Sequence, residues 1–88
     1  MSVLWESWQN AARRAAINTA KNMQPYADHM FQDEVVSIAT EMRTRIAQAM
    51  TEGGSSDDEI INALEEFNRV FRPRAIALLE TRPDWTAQ

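Results

Sequence analysis

The side chains that could do chemistry are few and stand apart. His29 and Asp33 are four positions apart, the spacing that puts two residues on one face of a helix. Symmetry could bring two such pairs to a metal, but zinc needs three or four ligands in close geometry. The chain has one histidine and no cysteine, and it lacks the Glu-x-x-His spacing of di-iron bundles. The pair therefore reads as a helix-surface contact. Gly53-Gly54-Ser55 has neither the lysine nor the preceding strand of a phosphate loop, so it reads as a hairpin loop. Asp57, Asp58 and Glu59 stand where helix capping accounts for them. No nucleophile elbow, metalloprotease or dinucleotide motif occurs. The expectation is a protein that is not an enzyme, with no catalytic residue, no cofactor and no metal.

Arginine is the feature that stands out. Eight of the nine basic residues are Arg, and Arg stacks on bases and holds phosphate through two parallel hydrogen bonds. Arg13, Arg14 and Lys21 share the outer side of the first segment, Arg43 and Arg45 approach the end of the second, and Arg69, Arg72 and Arg74 surround Phe71 and Pro73. With aromatic platforms these cations could form a surface for single-stranded nucleic acid. Against that, Arg69 and Arg72 also complement a helix C-terminus and can pair with Glu65 and Glu66. The acidic net charge of −4 does not suit a protein that coats nucleic acid. The excess is local: residues 1–51 carry five acids and five bases, residues 52–88 eight acids and four Arg.

Protein binding is the competing reading, and the one preferred. Trp5, Trp8, Met23, Tyr26, Met30 and Trp85 are large apolar or amphipathic groups near segment ends, and aromatic, Met and Arg residues are enriched at interfaces. Ile17, Met30 and Val36 fall off the main apolar stripes, as a second contact face requires.

The elements that must position these residues are helices. Alanine is frequent, with the helix formers Glu, Arg, Met, Leu and Gln in support, and only two glycines and three prolines occur. Hydrophobic residues make up 44% and charged residues 25%, a globular balance, and 88 residues make one domain. No apolar run reaches the roughly 20 residues that span a bilayer. The opening MSVLWESWQN lacks the charged and apolar regions of a secretory leader. The expected location is the cytoplasm, with no membrane partner.

Periodicity predicts a first helix over about 3–23 with Ser2 as cap, its face lined by Trp5, Trp8 and a run of alanines. Pro25 forces a turn, and a second helix follows over about 26–50. Its stripe of Phe31, Val35, Ile38, Met42, Ile46 and Ala49 is spaced like a coiled-coil seam. At about 39 Å such a helix outreaches a compact chain of this length. Oligomerisation is therefore expected, with Trp5, Trp8, Phe31, Val35, Ile38, Met42 and Ile46 as its interface. Ser56-Asp57-Asp58-Glu59 is a capping box that starts a third helix over about 57–72, with Ile60, Leu64, Phe67 and Phe71 inward. An interior proline costs roughly 3 kcal/mol, so a fourth helix over about 73–81 is preferred to a kinked continuation, with a tail over 82–88.

The expected fold is an all-α hairpin-based bundle of three or four helices, with one long central helix and completion as a homodimer or tetramer. The expected function is a regulator or adaptor that binds another macromolecule, a protein. Single-stranded nucleic-acid binding through the Arg patches is the alternative.

Overall fold

Alanine spacing explains how the first helix packs. In the computed structural model, which describes residues 8–80 apart from the Asp28 side chain, α1 spans Trp8–Met23. Ala12, Ala16 and Ala20 are buried on one line that ends at Met23, and side chains this small let two helix backbones approach closely. Ser2, Trp5 and the 82–88 tail with Trp85 lie outside the described residues.

A 3₁₀ segment, Gln24–His29, follows, with Pro25 in its first turn. Met30 and Phe31 are extended, and α2 runs over Gln32–Glu52. The expected helix from residue 26 is thus corrected to a start at 32. Glu34 supplies the reason: its carboxylate accepts the Phe31 N–H at 2.8 Å, satisfying a donor at the helix start. The Asp33 and Glu34 charges favour the same end of the dipole. The second helix therefore has 21 residues and a length of about 32 Å. Its buried line is Val35, Ala39 and Met50. Ile38, Met42 and Ile46 are half-buried, while Phe31 and Ala49 are exposed.

Gly53 ends α2, and Gly54 takes a φ of +84°, the left-handed conformation glycine adopts without penalty. The expected capping box forms. Glu59 N–H donates to Ser56 Oγ at 3.2 Å, and Ser56 N–H donates to Glu59 Oε1 at 2.8 Å. From there α3 runs unbroken over Asp57–Glu80 with Pro73 inside it, so the expected fourth helix is part of the third. Phe67, Val70 and Phe71 before the proline and Ala75 and Leu79 after it are all buried. That continuous apolar face outweighs one lost hydrogen bond. Pro73 itself is exposed, which leaves the unpaired Arg69 carbonyl open to water.

The described residues are all-helical, without a strand. The 24-residue α3, not α2, is the long central helix. It packs on both α1 and α2, which touch each other sparingly. Arg13 meets Glu66, and further along Lys21 and Gln24 lie near Arg74 and Leu78, so α1 runs parallel to α3. Arg43 meets Asn68, while Gln32 and Val36 lie near Ile76 and Leu79, so α2 is antiparallel. The result is an up-down-up three-helix arrangement. Phe67 and Met50 are its largest fully buried side chains, and Phe67 stacks on Phe71 with centroids 5.2 Å apart. The radius of gyration is 14.3 Å and the extents 46 × 23 × 16 Å, whereas a compact chain of this length would have a radius near 12 Å. No helix among the described residues is long and apolar enough to cross a membrane.

Candidate binding surfaces

Because α2 sits on α3 and leans little on α1, both flanks of its buried line stay open. At 100° per residue, Ile38 and Met42 fall on the α1 side of that line, and Val36 and Arg43 on the other. The first flank forms an open seam with Thr19, Asn22, Met23, Tyr26, His29, Met30 and Glu34, enclosing about 560 Å³. The second forms a groove of about 410 Å³ against α3, with Val35, Ala39, Phe71, Ala75 and Leu79 as its floor. Its charged lining is Arg43 and Arg72, beside the amides of Gln32 and Asn68. Val36 and Ile76 are exposed at its edges.

The residues expected to form an oligomer interface thus separate. Val35 is packed inside the chain's own core. Ile38 and Met42 line the seam, while Ile46 packs half-buried against the core. Phe31 and Trp8 are exposed, and Trp5 lies outside the described residues. Among the residues marked off the main stripes, Val36 is exposed, Met30 is buried and Ile17 is half-buried against the core.

The basic side chains also separate. Glu66 is the hub of one group: Arg69 donates to it at 3.0 and 2.6 Å from within α3, and Arg13 donates from α1 at 2.9 Å. These bonds, Arg69's first and Arg13's second, bring the Glu66 carboxyl from 4.5 down to about 2. The same contact raises the Arg69 guanidinium further. Arg43 donates to Asn68 Oδ1 at 2.9 Å and to Thr40 at 3.3 Å. Arg45 pairs with Glu41 at 2.7 Å within α2, and Arg14 lies exposed on α1. Lys21 and Arg74 border a shallow groove between α1 and α3 with Ile17 and Leu78. Arg72, on the other side of α3, borders the α2–α3 groove. The eight cations do not gather into one track.

His29 closes the 3₁₀ segment while Asp33 sits in the first turn of α2, with extended residues between them. Their expected place on one helix face is therefore lost. Among the described residues no three of His, Asp and Glu come together as a metal site.

The pairing of Arg69 with Glu66 expected from the sequence forms, whereas the link from Arg13 that makes Glu66 a hub, and the α2–α3 groove, were not expected. Both need the register of one helix on another, and the local signals, Glu66 three residues before Arg69 and exposed isoleucines at 61 and 76 flanking the buried stripe, do not supply it. A scan against family models found no match to this chain, and searches of curated proteins and of solved structures found none either.

Proposed function

We propose that this chain is a non-enzymatic regulator or adaptor that binds another macromolecule, a protein, and does so as a helical homo-oligomer. The observation that carries the reading is the open α1–α2 seam, where Ile38 and Met42 remain half-exposed on a helix whose neighbouring line is fully packed. A helix with one such flank accepts a further helix bearing apolar side chains at i, i+3 or i+4, and i+7. Met23, Met30 and Met42 border the seam, and thioethers adapt their shape to what packs on them. Tyr26, 64% exposed at the mouth, is of the type enriched at interfaces. His29 and Glu34 supply polar groups at the edge that can fix orientation.

Single-stranded nucleic acid is the weaker reading. It needs contiguous cations with aromatic platforms between them. Here Arg13 and Arg69 are held on Glu66, and Phe67 and Phe71 are buried in the core.

The test compares the tagged wild-type chain with Met42→Glu and, as a control, Arg45→Ala. A protein held by wild type and control but lost from Met42→Glu, with helical circular dichroism unchanged, supports the reading once the purified partner binds in the same pattern. Partner binding indifferent to Met42, or oligonucleotide binding that weakens with salt as phosphate contacts do, overturns it.

A further inference from the structure

The exposed flank of α3 that borders the α2–α3 groove carries a pattern that matches itself when reversed. Ile61, Glu65, Asn68, Arg72 and Ile76 are spaced 4, 3, 4 and 4, which places them within an arc of about 80°. All five are exposed, with Ile61 52% and Ile76 38% open to solvent. An isolated exposed apolar residue is ordinary, but these two cap the ends of one polar row. That row runs from acidic to basic along the helix. Within the described residues neither Glu65 nor Arg72 makes an ion pair, and seven residues, about 10.5 Å, keep them from pairing with each other.

We infer that a second copy of this chain packs its α3 antiparallel on this face, with Ile61 of each copy against Ile76 of the other and Glu65 of each against Arg72 of the other. Both pairs fall in one register, because they share a midpoint between Asn68 and Arg69. A two-fold axis there makes the contact isologous and closed, which gives a dimer. Asn68 beside the axis is already oriented by the Arg43 hydrogen bond, and a polar residue within a helix seam fixes register. Arg69 at the axis is neutralised by Glu66. Arg72 and Ile76 also line the α2–α3 groove near exposed Val36, so Ile61 of the second copy arrives over the mouth of that groove. Two ion pairs and four isoleucines thus leave water together. The inference rests on the self-association proposed above and assigns its surface, leaving the α1–α2 seam for the protein partner.

Charge reversal tests it by light scattering. Glu65→Arg alone sets two like-charge pairs against each other across the axis, and so does Arg72→Glu alone. Each is expected to weaken the dimer by roughly tenfold, about 1.4 kcal/mol. Mixing the two single variants makes both cross-copy pairs opposite in charge again, so the mixture is expected to dimerise as wild type does. Arg45→Glu, an equal charge change on α2, leaves dimerisation unaltered. A wild-type dimer indifferent to both reversals, or variants that stay apart when mixed, overturns this interface while leaving self-association standing. A wild-type monomer at every concentration overturns both.

Discussion

Replacing Pro73 by alanine should stabilise the protein, and the size of the gain follows from where the proline sits. On the propensity scale Pro is about 3 kcal/mol worse than Ala in a helix interior, which sets the upper bound. The new N–H regains a bond to the Arg69 carbonyl, worth roughly 0.5–1.5 kcal/mol net, and the ring no longer crowds that carbonyl. Two effects hold the gain below the bound. Pro73 is exposed, so water already solvates the orphan carbonyl. Ala75 and Leu79 are seated against the present course of the helix, so a straighter path would disturb them. The expected gain is about 1–2 kcal/mol. With about 4–8 °C per kcal/mol for a domain of this size, the midpoint should rise by roughly 4–16 °C. Thermal unfolding followed by circular dichroism at fixed protein concentration reads the midpoint, and urea unfolding reads the free energy, with an unchanged slope showing that the same surface is exposed. A neutral or destabilising Pro73→Ala would instead mark residue 73 as the first turn of a separate helix, where proline is favourable.

Three further outcomes follow from the same packing. Phe67→Ala should cost about 3–5 kcal/mol, because the ring is fully buried and stacked on Phe71, whereas Tyr26→Ala at an exposed position should stay within about 0.5 kcal/mol; urea midpoints compare them. Glu66 has its folded pKa depressed from 4.5 to about 2, so its ion pairs contribute in full above pH 4.5 and that contribution is lost as pH falls towards 2. Wild type should lose stability through that window and Glu66→Gln should lose less, as read by denaturation at a series of pH values. Gly54→Ala should cost about 1–2 kcal/mol from its φ of +84° alone, since nothing lies within 4 Å of an added methyl. Gly53→Ala, at a φ of −83°, should be far milder, and thermal midpoints separate the two.

What could be read from the sequence was what is local. Ser56 and Glu59 cap α3 through bonds within one turn, and the two glycines mark the loop, where Gly54 takes a φ of +84° that favours glycine. The buried stripe of α3 follows from period alone. Local signals mislead where a distant surface decides. Pro73 argues for a break on propensity, but the face from Phe67 to Leu79 is buried on both sides of it. The second helix starts late because Glu34 reaches back to a phenylalanine, which is not a capping type. Its buried line passes through Ala39, whose small side chain gives little signal beside Phe31 and Ile38. The arginines were visible as a set, but their division between Glu66, Asn68 and Glu41 depends on how α1 and α2 lie on α3.

On the proposed interface, a second copy covers the apolar and charged face that one folded chain leaves open on α3. Light scattering of the wild-type protein over a wide range of concentration tests this most directly. The prediction is a mass that rises from 10.1 kDa to twice that value and stays there, as a closed two-fold contact requires. A mass of 10.1 kDa at every concentration, with the helices intact, would contradict it.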